Sequence, residues 1–294
     1  MDLKSISQEI NDLLEKRRKE LELTFIEEKH TYYMKDTDGI LRKTFPSVSK
    51  LIKKFHKPFD SEGMALRMCK GDPEAAALLQ EQWKELGRLS TNLGSRVHFE
   101  LENELVSRYD NFKQVRKPIF ECNDEQIIKS DKMITAGKSF IDLMEERGAV
   151  LLDTEIVLGD NELGYTGQAD KSWLMMNREK TNFGLVITDW KTNQPKNFEV
   201  HHYTGNMYSP FSELPDNSLG HYYIQLPLYG RLLLKMLQGT KYQDINLLGC
   251  VVVLLKEDGT YMEYKVPPGV NKGVLNLDLT RYIDYGKKTY TYVS

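Results

Sequence analysis

Asp189 and Lys191 stand two residues apart at the end of an apolar run, Leu185-Val186-Ile187, in the stretch "GLVITDWKTNQPK". Side chains alternate across a strand, so Leu185, Ile187, Asp189 and Lys191 share one face, and Val186, Thr188 and Trp190 share the other. A sheet can bury residues 185–188 and still present the charged pair at its edge. A rigid strand then holds a carboxylate able to grip a metal ion beside an ammonium facing the same reacting group. Alone, such a pair reads more readily as a strand-end salt bridge, worth roughly 0–1 kcal/mol when exposed. The preceding segment "LGYTGQADKSW" shifts that balance, because Asp170 follows Gly167 in a second strand-like run. A glycine inside a strand marks a bend or a close approach by a ligand or another backbone. Asp170 and Asp189 would lie on the two arms of a hairpin and could converge on one hard divalent cation. Glu155, one strand earlier, could reach the same neighbourhood or could be a plain surface acid.

The elements that position these residues follow from pattern. "AVLLDTEIVLG", "GYTGQADKSWLMM" and "FGLVITDWKT" predict three consecutive strands with short turns. An aromatic, proline-containing stretch runs from Asn193 to Gly220. "HYYIQLPLYGRLLLKML" predicts a helix despite Pro227, followed by strands at "INLLGCVVVLL" and "TYMEYKVP" and a last helix. The first half is mostly helical. Residues 1–21 predict an amphipathic helix with Ile6, Ile10, Leu13 and Leu14 on one side and a basic cluster at Lys16 to Lys19. Tyr32, Tyr33 and "KDTDG" predict a hairpin whose second arm holds Leu41 and Phe45. Pro46-Ser47 opens a short helix. Asp72-Pro73 opens a helical pattern to about Ser107, broken near Gly87 to Ser90. Asn123 with Gln126 resembles a capping box, and Met133, Gly137, Phe140 and Met144 keep a helical rhythm to Gly148. The expected fold is α/β (α+β), with helices on the faces of a mixed central sheet. A single domain over 1–294 is expected: a mainly helical part at 1–148, and the sheet core with its C-terminal helices at 149–294.

Composition narrows the function classes. The chain has 294 residues, 28% of them charged, with a formal net charge of −3. No global basic field exists to capture nucleic acid, so any such binding must use a local surface. Residues 35–57 offer one: Lys35, Arg42, Lys43, Lys50, Lys53, Lys54 and Lys57 outnumber Asp36 and Asp38, although taken alone they read more readily as a solvated face. Three separated cysteines, Cys69, Cys122 and Cys250, argue against a disulfide framework, a zinc knuckle or an iron–sulfur cluster, and for a reducing compartment. No apolar run approaches the ~18–20 residues that cross a bilayer, and the N-terminus carries no signal core, so neither membrane association nor export is expected.

"GQAD", a spacer and "ITDWKT" together resemble the PD-(D/E)XK nuclease signature in its RecB-like branch. Asp170 and Asp189 match its two acids and Lys191 its lysine. "LGSRVHFELE" is similar to that branch's helical segment, with Gly94, His98 and Glu102 at successive fourth positions. "YYIQLPLYGRLL" resembles its Q-x-x-x-Y helix through Gln225 and Tyr229. "TFPSVSKLI" looks like the Pro-Ser-Val opening of phage exonucleases and of the mitochondrial genome maintenance exonuclease group. Four short motifs in family order extend from about Phe45 to Leu255. Ala169 stands where the proline that names the superfamily would be, and the four-cysteine signature of some relatives is missing.

The resemblance implies a restriction-endonuclease-like core and a metal-dependent DNA exonuclease, acting on single strands or free ends in recombination, repair or replication. Mg2+ or Mn2+ would be held by Asp170, Asp189, His98 and the main-chain carbonyl of Trp190. Glu102 and Glu155 would support the ligands, with Glu102 orienting His98. Lys191 would position water or stabilise phosphate charge rather than act as a base. Gln225 and Tyr229 would contact the scissile strand or brace Lys191; the alternative is a core tyrosine and a capping glutamine. Lys43, Lys50, Lys53, Lys54 and Tyr222 would contact nucleic acid. Aromatics at Tyr203, Tyr208, Phe211, Tyr222 and Tyr223, with His201 and His202, could stack on bases or pack a long loop. Other recombination or replication proteins are expected partners. The expected place is the cytoplasm, the host's if phage-encoded. A flap or other endonuclease with the same site, and a silent nucleic-acid-binding subunit, are the alternatives.

Overall fold

The computed structural model describes residues 2–43, 45–109, 120–201 and 204–283. His202 and Tyr203 lie outside the described residues, as does the side chain of Lys43. Five strands form the central sheet in the order β4 (Val150–Asp160), β5 (Tyr165–Met176), β6 (Phe183–Lys191), β7 (Asn246–Leu255), β8 (Tyr261–Lys265). Only β6 and β7 are parallel; helix α6 (Ser218–Met236) makes the crossover between them. A smaller antiparallel sheet joins β1 (Thr24–Ile26), β2 (Thr31–Lys35) and β3 (Leu41–Lys43). The hairpin expected at Tyr32 therefore exists, but β3 ends at Lys43, and Phe45 is buried beyond it rather than within it. The strand β1 has no counterpart among the sequence expectations; at three residues it is too short to show a pattern.

Seven α-helices occur among the described residues. Helix α1 (Leu3–Glu20) lies across β4. It buries Ile10 and Leu14, and also Ser7 and Asn11, whose side chains donate to Leu151 O (2.8 Å) and Leu152 O (2.5 Å). Those carbonyls sit where β4 slips register between Leu151 and Asp153, so two polar residues on the helix's buried stripe satisfy acceptors beside an irregular ladder. Helix α2 (Val48–Ile52) begins at the Ser47 cap and α3 (Ser61–Met68) at Asp60. Helix α4 (Pro73–Arg108) is continuous over 36 residues, so the expected break near Gly87 does not occur. Arg88 bridges to Glu85 (2.8 and 2.9 Å) across the glycine, and Thr91 Oγ1 donates to Gly87 O (2.9 Å). Helix α5 (Asp124–Glu146) has the reciprocal Asn123–Gln126 capping box. Helix α7 (Pro268–Leu275) is the last α-helix among the described residues, and a short 3-10 turn at Leu279–Arg281 follows it.

Two apolar layers cover the sheet's faces. Leu185 and Ile187 join α1, α2, α6 and α7 in one; Val186, Trp190 and Trp173 join α4 and α5 in the other. The alternation along β6 thus divides the strand between two cores, leaving Asp189 and Lys191 at its end. No helix is long and apolar enough to cross a membrane among the described residues.

Candidate active site

The site lies where β5 and β6 part. Their ladder ends at the pair Lys171↔Thr188. Beyond it β5 continues along β4 (Ala169↔Ile156), while β6 continues along β7 (Asp189↔Val252, Lys191↔Leu254). Asp170 and Asp189 are the first residues past that fork, one on each arm, so their carboxylates face the same opening.

His98 reaches the opening from α4. One ring nitrogen, Nε2, is 2.9 Å from Trp190 O, and Nδ1 is 3.2 Å from Asp170 Oδ2. The Trp190 carbonyl is accessible to it because β5 no longer pairs with β6 there. Gly94, one turn earlier, lets the helix come close: a Cβ at that position would stand 3.1 Å from Thr192 Oγ1. The His98 ring is thus set by Trp190 O of β6 and stands beside Asp170 of β5, and Glu102, half-buried one turn later, is not its acceptor. The expected orienting contact from Glu102 is absent because the fork itself orients the ring.

Glu155 comes closer than a supporting role required. One ligand atom each from His98, Glu155 and Asp170 lies within 4.8 Å of the others. Glu155 sits at φ 52°, a left-handed conformation that costs a non-glycine residue on the order of 1 kcal/mol or more and that occurs at functional sites. It faces Asp170 from β4, between the pairs Thr154↔Lys171 and Ile156↔Ala169. Asp189 is outside that close trio and pairs with Lys191, Oδ2 to Nζ 2.6 Å.

The electrostatics are those of carboxylates crowded together. Burial and the neighbouring Asp170 push Asp189 well above the ordinary carboxylate range, against the pull of Lys191. For Asp170 burial also works upward, but His98, Lys171 and Lys191 outweigh it and hold this carboxyl below its usual value. Burial takes His98 down to about 4, although Asp170 opposes this, so its ring is neutral at pH 7. Among the described residues no donor reaches buried Asp170 Oδ2 or Asp189 Oδ1. The His98 Nδ1 that stands 3.2 Å from the former is the lone-pair side of a neutral ring whose Nε2 faces Trp190 O, so only a proton shared between the two acids or a cation satisfies them. Unpartnered buried oxygens of this kind are costly unless something fills the opening. Three carboxylates, one neutral imidazole and one peptide oxygen suit a hard divalent cation, and the nitrogen donor admits Mn2+ beside Mg2+.

Lys191 is held from both sides. Its Nζ also lies 4.5 Å from the centroid of the Tyr222 ring, on α6. Tyr222 Oη donates to Asn193 Oδ1 (3.2 Å), which fixes the half-buried ring beneath the ammonium. Burial works to lower the Lys191 pKa, but Asp189, Asp170 and Tyr222 outweigh it and raise it. Gln225 Nε2 donates to Tyr229 Oη (2.7 Å), which makes a helix-face pair. Tyr229 is buried, and its ring lies over Gly167, where a Cβ would stand 2.8 Å from it. The close approach expected at Gly167 is therefore made by Tyr229 and by Val48 of α2, not by a ligand.

Lys171 is the residue the sequence reading passed over. It is fully buried, 3.8 Å from Glu155 Oε1 and 3.8 Å from the Trp190 ring centroid, with no hydrogen-bond partner for Nζ among the described residues. The signal was a lysine directly after an acid inside a strand, on the same face as Trp173. Its charge offsets part of the carboxylate cluster.

Of the basic surface, Lys50, Lys53, Lys54 and Lys57 are exposed, whereas Lys35 is paired with Glu22 and Arg42 with Asp36. Phe211 is core, packed edge-on against Phe55 at 5.1 Å, while Tyr208 is exposed. A cleft of about 860 Å³ opens beside Lys191, bounded by Gly94, Thr192, Asn193 and Tyr222. No family model and no curated protein matches the chain.

Proposed function

We propose that the chain is a metal-dependent nuclease with a restriction-endonuclease-like core, acting as an exonuclease on single-stranded DNA or DNA ends. The observation that carries this reading is the pair of unpartnered buried carboxylate oxygens, on Asp170 and Asp189, at a strand fork shared with His98 and beside Lys191. Asp170, Asp189, Glu155, His98 and the Trp190 carbonyl would hold the cation. When bound, it lowers the pKa of attacking water and neutralises charge on the scissile phosphate.

The chain's own groups supply the rest. Lys191, kept protonated by Asp189 and Asp170, is poor as a base and well suited to stabilise a phosphate oxygen. Tyr222 keeps its ammonium directed into the opening. Asp189 holds Lys191 with one oxygen and leaves the other turned to the site. Neutral His98 keeps a nitrogen lone pair available. The exposed lysines 50, 53, 54 and 57 give an otherwise acidic molecule a local surface for phosphates.

The test is an assay on end-labelled linear and circular single strands with Mg2+ or Mn2+, with and without chelator. Cation-dependent loss of linear strands alone is the expected result. Cutting of circles would make the same site endonucleolytic, and binding without cutting of either would reject catalysis.

A further inference from the structure

A second group of metal-binding side chains lies apart from the strand fork. The connector 53–60 after α2 brings His56, the loop before α6 brings Asp216, and the first turn of α6 brings His221. His221 Nε2 is 2.7 Å from Asp216 Oδ1, and His56 Nδ1 is 3.9 Å from the same oxygen. One ligand atom from each residue lies within 4.8 Å of the others. The two imidazole rings stack, 4.2 Å between centroids and 27° between planes.

The backbones that carry them are anchored independently of any ion. Tyr208 N donates to Phe55 O (2.6 Å) and Lys57 N to Asp216 Oδ2 (3.4 Å), tying the connector to the 205–216 loop. Asn217 caps α6 through Gly220 N (2.9 Å) and donates to Phe198 O and Glu199 O (3.3 and 3.1 Å). His56 Nδ1 also lies 3.0 Å from Lys57 O, a contact that a cation held through Nδ1 would have to displace. All three side chains are mostly but not fully covered, at 18, 18 and 28% exposure for His56, Asp216 and His221. They line a cleft of about 880 Å³ that also carries Lys57, Arg67 and Lys196.

The donor set selects the ion. Two imidazoles with one carboxylate favour a borderline transition cation over Mg2+ or Ca2+, which take oxygen ligands. A tetrahedral zinc ion with bonds of roughly 2.0–2.1 Å sets its ligand atoms about 3.3 Å apart. The separations of 2.7 and 3.9 Å fall on either side of that value. We infer that His56, Asp216 and His221 form a second cation site of the zinc class, with three protein ligands and a fourth position open to the cleft for water or an anionic oxygen. The ion would pin the connector 53–60 to the start of α6, one residue from the Tyr222 ring under Lys191. This site does not depend on the nuclease reading of the first.

Chelator-treated full-length chain titrated with Co2+, followed by visible absorption, tests it. The expected result is one set of intense bands from low-coordinate Co2+ that Zn2+ abolishes. They persist in the Asp170→Asn/Asp189→Asn double variant and are lost in His221→Gln. Because His221 is in a packed helix, His56→Gln in the connector provides a second variant, and Zn2+ should raise the Tm of wild type but not of that variant. Bands that survive both histidine substitutions, bands lost only with Asp170 and Asp189, or a wild-type Tm unmoved by Zn2+ would each overturn the assignment.

Discussion

Lys191 separates holding a cation from using it. Its ammonium touches Asp189 and Tyr222 but is not a metal donor, so Lys191→Met should leave cation binding intact while cleavage falls roughly 10²- to 10³-fold, the scale of losing one charge-stabilising group. Calorimetric Mn2+ titration read beside single-turnover cleavage checks this; parallel loss of both would make Lys191 merely structural. Alternation made Asp189 and Lys191 legible, because side-chain period alone puts an acid and a lysine two apart on one face, and reading the two strands as a hairpin brought Asp170 opposite Asp189. Glu155 was less legible, since its place depends on a positive φ that no period encodes. From sequence, Tyr222 reads as one of several nearby aromatics that could meet nucleic acid. Its contact with Lys191 requires knowing that α6 packs across the end of β6.

At the scale of elements, the seam between α1 and β4 carries a pH signature. Asp153, mostly buried near Arg18 (3.5 Å), is raised by burial from 3.8 to about 6, with Arg18 opposing. At this group the folded state therefore binds more protons than the unfolded one between about pH 4 and pH 6. The contribution of Asp153 to stability should fall as pH rises through that window, by on the order of 2–3 kcal/mol, while His98, held down to about 4 by burial, contributes with the opposite sign over the same range. Urea unfolding of wild type and Asp153→Asn across pH 4–7 checks the sign: the stability of wild type minus that of the variant should fall as pH rises from about 4 to 6, and a difference that is flat or rises would contradict it. In the same seam Asn11→Ala leaves Leu152 O without its donor and should cost about 1–3 kcal/mol. At β5, Gly167→Ala drives a Cβ into the Tyr229 ring and should cost about 1–3 kcal/mol, read from the denaturant midpoint. The burial of Ser7 and Asn11 in α1 has no sign in the sequence, because only the slip in β4 makes it favourable. Gly87 read as a break in α4 because helix propensity is local, whereas the Glu85–Arg88 bridge and the buried face from Leu93 onward carry the helix through.

Across the whole molecule, the net charge of −3 confines nucleic-acid contact to a patch. Replacing Lys50, Lys53 and Lys54 by alanine should weaken single-strand binding and flatten its salt dependence by about 0.7 in log–log slope per phosphate contact removed. Fluorescence anisotropy between low and moderate salt measures it; an unchanged slope places the strand elsewhere. The order of helices and strands was legible because caps, periodicity and glycines mark boundaries. The parting of β5 and β6, which makes the site, was not, because it is set by β4 and β7 competing for the two arms. The central claim is that Asp170 and Asp189 close on one catalytic cation at that fork. Its most direct test is Mn2+-dependent cleavage of an end-labelled single strand by wild type, Asp170→Asn and Asp189→Asn, each with its Mn2+-induced change in stability. At a cation concentration about 100 times the Kd, wild type should gain about 2.7 kcal/mol and cut the strand, and neither variant should do either. Full cleavage by either variant, or an equal cation-induced gain in all three proteins, would contradict it.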